Sequence, residues 1–252
     1  MISGRHQKSA APDLGAADRT NPSRRWVVAA VLLVGVGQLI APASAKEHRL
    51  KVAWRYWRRM YAGLPRETFP VPAVDLSKIE THYLRQIVDY PTAEWPGTIV
   101  VDTPERFLYL VLEGGRALRY GIGVGRQGFS WSGRANIPFK RPWPKWTPPA
   151  SMIEREPELA KYRDGMEPGL DNPLGARALY LFQNGRDTLY RIHGTGEVAS
   201  IGKAVSSGCI RLLNQDVIDL YRRVPLGTEV VVRQGFRWPG AEAAGGGDPE
   251  VR

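Results

Sequence analysis

Two residues that can carry out nucleophilic catalysis lie close together in this sequence. They are His193 and, sixteen positions later, Cys209, the single cysteine among 252 residues. A thiol attacks well only as the thiolate, and its ordinary pKa of about 8.5 leaves most of it protonated at neutral pH. A neighbouring imidazole can accept that proton. Gly208 lets the backbone approach a substrate carbonyl closely, and the N–H groups around Gly208 and Cys209 are suited to hold an oxyanion. The pair therefore indicates covalent catalysis, with a small buried core residue as the alternative role of a lone cysteine.

Local patterns predict the elements around this pair. A β-rich run ends at His193, and Cys209 lies in a glycine-flanked turn directly before a helix that we expect Asn214 to cap. The free N–H groups at the start of a helix favour negative charge, so this placement would stabilise a thiolate. A metal site needs more ligands than one cysteine and four scattered histidines provide. A single cysteine excludes an intramolecular disulfide and leaves an intermolecular one open.

Residues 1–45 have the features of a secretory signal. Arg24 and Arg25 precede an apolar run over 26–40 that is too short for a comfortable membrane span, and small residues form a cleavage site after Ala45. Cleavage is the preferred interpretation, with an uncleaved anchor helix as the alternative, and the twin arginine hints at export of the folded protein. We therefore expect an exported protein of the periplasm or cell envelope.

The net charge of +10 suits an anionic partner such as membrane head groups, nucleic acid or an acidic polymer. The export signal and the lack of an RNA- or DNA-binding motif make nucleic acid the least suitable of these. Residues 46–62 read as a basic amphipathic helix. We expect its aromatic face to pack on the main domain, and peripheral contact with an anionic membrane is the alternative.

The chain after the signal divides into three parts. Residues 46–96 form a helical and linker segment, in which a capping-box pattern predicts a short helix within 76–88. Residues 97–233 form a main domain of β-rich runs with a few short helices. Within it, 126–150 contains so many glycine and proline residues that no regular structure is predicted there. Residues 234–252 are a glycine–alanine tail that we expect to be disordered.

The run HGTGEVASIGKAVSSGCIRL, which contains both candidate catalytic residues, resembles the signature of the L,D-transpeptidase catalytic domain family. This family is also called YkuD-like, and the run is similar to its ErfK/YbiS-type subgroup with SSGCIR. GTIVVD, PKWTPP, NPLGARALYL and LYRIHGT match further motifs of the family in the same order, so the resemblance covers about 97–233. It implies a mainly β, sandwich-like or barrel-like domain with the cysteine at the mouth of a cleft.

Carried over position by position, the resemblance implies that Cys209 is the nucleophile and that His193 is first its general base and later an acid. The backbone carbonyl of Gly194 would orient the His193 ring. Arg211 would meet a substrate carboxylate, and its alternative role is an ion pair that fixes the turn. The residues implied to shape the pocket are Ser206, Ser207 and Gly208. Many members have histidine at the position of Ser207, so the serine here leaves His193 as the local base.

The implied reaction is acyl transfer on peptidoglycan stem peptides, with no metal or organic cofactor. The thiolate attacks the carbonyl of the third residue, a diamino acid, the terminal D-alanine leaves, and a thioester forms. An amine of a neighbouring stem then gives a 3-3 cross-link, or a lipoprotein lysine becomes attached to the wall. With water as the acceptor the enzyme is an L,D-carboxypeptidase. The alternative from a different class is a catalytically silent wall-binding module.

The run over 126–150 is both aromatic and basic, which would suit a substrate made of sugar and peptide. Its tryptophans could stack on sugar rings, and Trp146 is the one that we assign to substrate binding. Its cations could meet peptide carboxylates. The alternative is that proline and tryptophan simply pack this run onto the sheet. The residues concerned are Trp131, Trp143, Trp146, Arg134, Lys140, Arg141 and Lys145.

Overall fold

The computed structural model describes residues 54–125, 132–206 and 209–234. Outside them lie the predicted signal over 1–45, the tail beyond 234, Trp131, Ser207 and Gly208. Among the helices in the described ranges, none has the length and apolar character needed to cross a membrane.

The described residues form mainly β structure with a few short helices, as predicted. The strands are β1 (Gln86–Asp89), β2 (Ile99–Asp102), β3 (Phe107–Leu112), β4 (Arg116–Gly121), β5 (Gly123–Gly125), β6 (Gly133–Pro142), β7 (Arg177–Gln183), β8 (Arg186–Thr195), β9 (Ala204–Ser206), β10 (Ile210–Leu213) and β11 (Glu229–Arg233). They are joined in the order β1-β4-β3-β2-β11-β6-β7-β8-β10-β5-β9. The helices are α1 over 54–60, α2 (Ala150–Arg155) and α3 (Asn214–Arg223).

Helix α3 packs against the strands that carry the candidate site. Its Val217 and Leu220 form one apolar cluster with Leu179 of β7, Ile192 of β8 and Leu212 of β10. All five side chains are fully buried. Burial of each such side chain stabilises the fold by about 1.5–3 kcal/mol, so this cluster holds β7, β8 and β10 in fixed relative positions.

The helix predicted within 76–88 is wrong. The chain makes two short 3-10 turns, Leu76–Lys78 and Thr81–Tyr83, and then enters β1. β1 pairs antiparallel with β4, and this sheet pairing outweighs the local helix pattern. The first turn is capped by Asp75, whose carboxylate accepts the N–H of Ser77 at 3.1 Å.

The lack of regular structure predicted for 126–150 is also wrong, because its described part contains β6, which pairs with β11 and β7. Pro138 lies where the register between β6 and β7 shifts, between Asn136 and Phe139. A bulge of this kind accepts a residue that has no N–H to donate. A proline-rich run can therefore still form a strand.

The amphipathic segment predicted over 46–62 is helical from residue 54 to residue 60. Trp57 packs against a cluster that includes Tyr61, Leu84 and Leu213, while the arginines of the helix are exposed. In its described part the segment thus packs its aromatic face on the domain, which is the interpretation preferred from the sequence.

Candidate active site

The pairing of β8 with β10 sets the geometry of the candidate site. The two strands are parallel, with Ile192 opposite Ile210 and His193 opposite Arg211. Side chains alternate between the two faces of a strand, and both isoleucines are buried in the core. His193 and Arg211 therefore project from the other face of the sheet.

Cys209 lies one residue before β10 and extends the same register. Its position is opposite Arg191, two residues before His193, so strand alternation places Cys209 and Arg191 on the face that carries His193. The backbone N–H of Arg191 donates a hydrogen bond to the thiol sulfur. One face of two adjacent strands thus brings together the histidine and the cysteine, and Arg191 and Arg211 flank them.

The helix expected directly after Cys209 begins later than predicted. The residues that follow are β10, because they pair with β8, and α3 begins only at Asn214. The whole of β10 separates the helix start from the sulfur, so the prediction that a helix end stabilises the thiolate is wrong. Asn214 is the first residue of the helix rather than its cap, and its Oδ1 accepts the N–H of Ala176 at 2.9 Å.

His193 is 3% exposed, and its Nδ1 lies 2.8 Å from the carbonyl oxygen of Gly194. A carbonyl only accepts, so this contact assigns the ring proton to Nδ1 and leaves Nε2 as an acceptor, without a partner among the described residues. Burial lowers the pKa of His193 to about 4, the Gly194 carbonyl opposes that shift, and the charge of Arg211 adds to it. The imidazole is therefore neutral near pH 7 and can accept a proton.

Close backbone packing fixes the carbonyl of Gly194. The Gly194 N–H donates to the carbonyl oxygen of Leu174 at 3.0 Å. Gly175 has a φ of +59°, and a Cβ there would lie 2.7 Å from the Gly194 oxygen. A Cβ on Gly194 would in turn collide with Oδ1 of Asn214. Both positions require glycine because two backbone segments meet where the His193 ring is oriented.

The thiol of Cys209 is not a ready-made thiolate. The residue is half-buried, and burial raises the pKa of the thiol, while the N–H of Arg191 and the charges of Arg191 and Arg211 oppose the rise without cancelling it. Because the pKa of His193 is lowered at the same time, the resting pair is a neutral thiol beside a neutral imidazole. Proton transfer is then expected to accompany attack on a substrate rather than to precede it.

Arg211 forms an ion pair at 2.9 Å with Glu197, whose side chain is 72% exposed. This is the alternative role considered for it, and its contact with a substrate carboxylate stays a prediction. Ser206 ends β9, which is two strands from β10 in the sheet. Ser207 and Gly208 lie outside the described residues, so their roles also stay predictions.

The tryptophans before α2 have different surroundings. Trp143 is buried, packs edge-on against Phe69 with ring centres 4.9 Å apart, and donates its Nε1–H to Glu67 at 3.1 Å. The prediction that Trp143 stacks on a sugar is therefore wrong, because its ring has no open face. Trp146 is half-buried, and its backbone exchanges two hydrogen bonds with Met166. Its assignment to substrate binding stays a prediction.

Most of the candidate cations have partners within the protein. The contacts are Arg134 with Glu94 and Glu229, Lys145 with Glu167, and Lys140 with the carbonyl oxygens of Tyr221 and Val224. Arg141 is exposed and forms no ion pair with the residues that the structure describes. It lies opposite Ala178, which lies opposite His193. Arg141 is therefore the cation of this group best placed for a carboxylate near the site.

The described residues offer no cluster of three histidine, cysteine, aspartate or glutamate side chains that could hold a metal ion. The second histidine among them, His82, lies beside Glu80, with its Nδ1 3.5 Å from that carboxylate.

Sequence reasoning missed two residues of the site region. Arg191 could have been found, because it lies two residues before His193 in a predicted strand and must share its face. Asn172 begins the motif NPLGARALYL, but the motif alone indicates no role for it; it is a buried side chain that holds the chain leading to Gly175. Its Nδ2 donates to the carbonyl oxygens of Pro144, Met166 and Glu167, and its Oδ1 accepts the N–H of Leu174.

Known proteins are similar to this chain in sequence. A family model described as the L,D-transpeptidase catalytic domain, YkuD, matches residues 96–232. "Probable L,D-transpeptidase YbiS" of Escherichia coli K12 is 38% identical over 144 residues, which are 52% of this chain and 43% of that protein. "Probable L,D-transpeptidase ErfK/SrfK" of Salmonella typhimurium LT2 is 37% identical over 140 residues, 53% of this chain and 43% of that protein. The chain thus spans less than half the length of these curated relatives.

Two solved structures also match parts of this chain. A crystal structure from Brucella melitensis, described as a probable carnitine operon oxidoreductase caia, is 50% identical, with a TM-score of 0.44. The match spans 63% of this chain and 99% of the Brucella chain. An L,D-transpeptidase from Mycobacterium smegmatis is 18% identical, with a TM-score of 0.40, over 54% of this chain and 58% of that chain.

Proposed function

Because the chain belongs to the YkuD family of L,D-transpeptidase catalytic domains, we propose that it is an exported cysteine L,D-transpeptidase acting on peptidoglycan stem peptides. The observation that carries the proposal is the placement of His193 and Cys209 on one face of the paired strands β8 and β10. Histidine and cysteine arranged in this way are suited to covalent acyl transfer, in which the thiol is the nucleophile and the imidazole moves the proton.

The orientation of His193 supports its role as the base. The Gly194 carbonyl fixes the proton on Nδ1, so Nε2 is the nitrogen that can accept the thiol proton. Gly194 thus does for the ring what a carboxylate does in other catalytic triads: it holds the tautomer and the orientation. A backbone acceptor brings no negative charge, which agrees with an imidazole that stays neutral until substrate binds.

The proposed reaction begins when a donor stem places the carbonyl of its third residue, a diamino acid, against the sulfur. The thiol proton moves to Nε2 of His193 as the sulfur attacks, and N–H groups around Gly208 and Cys209 hold the oxyanion. His193 then gives the proton to the amine of the departing D-alanine, and the C–N bond breaks to leave a thioester. An acceptor amine attacks that thioester, with His193 taking one of its protons and returning it to the sulfur.

The acceptor in this proposal is an amine, from a neighbouring stem to give a 3-3 cross-link or from a protein lysine to give attachment to the wall. A thioester reacts readily with amines, which is the chemical reason for a cysteine rather than a serine at position 209. The proposal places the protein in the periplasm or cell envelope, on the strength of the signal-like residues 1–45.

Mass spectrometry of the purified protein with a tetrapeptide-bearing muropeptide tests the proposal, with Cys209→Ala as the control. A product of twice the substrate mass less one D-alanine, absent with the variant, is the expected result. Loss of D-alanine without a dimer would identify water as the acceptor, and the protein would be an L,D-carboxypeptidase. Absence of both the product and an acyl-enzyme on Cys209 would reject catalysis and favour a wall-binding module.

A further inference from the structure

We propose that Arg191 is a positioning residue for the nucleophile, with its backbone N–H directed at the sulfur of Cys209 and its clamped guanidinium supplying a fixed positive charge beside it. The inference rests on the proposed role of Cys209 as the nucleophile. It assigns a function to a residue that is neither the base nor part of the cysteine turn.

The register between β8 and β10 supports the contact. Arg191 is the residue opposite Cys209 when the pairing of Ile192 with Ile210 is extended by one position. Adjacent strands lie about 4.8 Å apart, so the two residues are direct neighbours on one face. The backbone N–H of Arg191 bonds to the sulfur, and the guanidinium charge acts on the same thiol.

The guanidinium of Arg191 is held in place on two sides. Its two terminal nitrogens each donate to a different oxygen of Asp187 at 2.7 Å, which is a bidentate pair. Its carbon atom lies 4.4 Å from the centre of the Tyr180 ring, a cation–π distance. Burial opposes ionisation of Asp187, but hydrogen bonds from Arg191 and from the N–H of Leu189 lower its pKa overall, so the clamp stays charged.

A bulge in β8 builds this clamp. Between the pairs Tyr180–Arg191 and Phe182–Asp187, β7 has one residue and β8 has three. Leu189 in the bulge has a φ of +64°, which costs a leucine about 1–2 kcal/mol. Its N–H donates to Oδ1 of Asp187 at 2.8 Å. The same carboxylate therefore accepts hydrogen bonds from the bulge and from the guanidinium. The backbone strain at Leu189 lies two residues before Arg191, whose N–H bonds to the sulfur.

The other charged groups near the sulfur are held less firmly. Arg211 is the second cation, and it pairs through one nitrogen with Glu197, which is largely exposed. His193 is neutral near pH 7 because burial lowers its pKa to about 4. The clamped Arg191 is therefore the fixed charge expected to matter most when the thiolate forms.

The test measures the thiol directly, without peptidoglycan. Because Cys209 is the single cysteine in the chain, the pH dependence of its alkylation by iodoacetamide gives its apparent pKa, with Cys209→Ala as the blank. Arg191→Gln is expected to raise that pKa and slow alkylation at pH 7 by about tenfold, while the rate at high pH is unchanged. Arg191→Lys, which keeps the charge, is expected to restore most of the rate, and Arg186→Gln, on the exposed start of β8, is the matched control.

An apparent pKa that does not change in folded Arg191→Gln would overturn the inference, even if muropeptide turnover were intact. If Arg191→Gln does not fold, Arg191→Met decides the matter, because its unbranched side chain can still pack along Tyr180 while the positive charge is removed. That variant is expected to raise the apparent pKa of the thiol, and a fall or no change would overturn the inference. Alkylation that follows the expected pattern in a protein without transpeptidase activity would leave the inference standing and reject only the proposed reaction.

Discussion

The sheet face that carries His193 and Cys209 (the candidate face) and the contact between the N-terminal segment and α3 both bury titratable groups, but the two regions bind those groups differently. In the second region, the buried polar cluster, most partners are side chains. The hydroxyl of Tyr61 donates to Asp216 at 3.0 Å and accepts the backbone N–H of Arg85 at 2.7 Å. Asp219 pairs with Arg85 at 2.6 Å and accepts the hydroxyl of Tyr120 at 2.8 Å.

On the candidate face the hydrogen-bond partners of His193 and Cys209 come from the backbone. His193 bonds to the carbonyl of Gly194, and the sulfur of Cys209 accepts the N–H of Arg191. Burial moves the pKa of His193 to about 4 and that of Asp216 to about 7, so the two regions share the physical cause of their shifts. Side-chain partners tie two segments together, whereas backbone partners orient a reactive group and leave Nε2 of His193 for a substrate proton.

Of the variants that test the difference between the two regions, His193→Gln is expected to have the largest effect, which is a loss of turnover. Glutamine has a similar polar character but cannot accept a proton at this position, so turnover should fall by about a thousandfold. The rate with a tetrapeptide muropeptide measures the loss. Asp216→Asn, a change of a buried titratable group in the other region, serves as the comparison and should leave turnover within about twofold. Equal losses in both variants would mean that the two regions are not functionally distinct.

The next largest effect is expected from Gly175→Ala, which acts on the backbone partner of His193. The new Cβ would lie 2.7 Å from the Gly194 oxygen, so the carbonyl must move, and stability should fall by about 2 kcal/mol or more. Turnover of the folded fraction should fall by about ten- to a hundredfold, because a shift of about 1 Å in a positioned group costs that much. Thermal unfolding and the muropeptide rate measure the two effects.

Gly115→Ala is the matched control for that variant. Gly115 has a φ of +66°, close to that of Gly175, but no atom lies within 4 Å of a Cβ placed there. The stability of Gly115→Ala should fall only by the cost of placing an alanine in left-handed backbone. Its turnover should equal that of the parent protein. If Gly175→Ala resembles this control in both stability and turnover, the position of the Gly194 carbonyl does not affect the function of His193.

The sequence predicts an element or a residue correctly where a local pattern carries the information. β7 and β8 follow from β-rich runs around an Asn-Gly turn, and His193 and Cys209 are found by their types and by the family signature. The short run of Ile210–Leu213 is ambiguous, because three apolar residues and one arginine before a helix fit either a strand or the lead into that helix. Only pairing with β8, distant in sequence, decides for a strand, so the placement of Cys209 at a helix start could not be corrected from the sequence.

The partners of polar side chains were likewise beyond sequence reasoning. Trp143 and Trp146 are three residues apart in one proline-rich run, yet Trp143 is buried against Phe69 and Trp146 is half-buried. Asp216 appears as an ordinary acidic residue in the first turn of α3, and only the fold reveals that Tyr61 covers it. Contacts between segments far apart in sequence decide such cases, and one sequence contains no local signal for them.

A smaller effect, this time on the buried polar cluster, is expected from Tyr61→Phe. The change leaves the Asp216 carboxylate and the Arg85 N–H, both buried, without the hydroxyl that joins them, which should cost about 1–3 kcal/mol. Chemical denaturation measures the cost, and turnover of the folded protein should stay unchanged. Tyr56→Phe, a change on the exposed side of α1, should cost less than about 0.5 kcal/mol. A fall in turnover for Tyr61→Phe would break the separation of the two regions.

The smallest effect concerns the pH dependence of stability, in which the two regions should oppose each other. Burial favours protonated Asp216, so its contribution is present at acid pH and is lost as the pH rises from 3.8 towards about 7. Burial favours neutral His193, so its contribution is present above 6.5 and is lost as the pH falls towards about 4. Between pH 5 and 6 the two slopes should nearly cancel in the parent protein.

Removing one group at a time should isolate the slope of that group. In Asp216→Asn the free energy of unfolding minus that of the parent at the same pH should rise by about 1 kcal/mol from pH 5 to pH 6, because the parent loses the contribution of Asp216 over this range and the variant has none to lose. In His193→Gln the same difference should fall by a similar amount, because the parent gains the contribution of His193 over this range and the variant does not. Urea denaturation at the two pH values measures both, and comparison with the parent removes the contribution of every other titratable group. Slopes of the same sign in both variants would show that burial does not govern both regions, and the partners of Asp216, Arg85 above all, would then set its pKa instead.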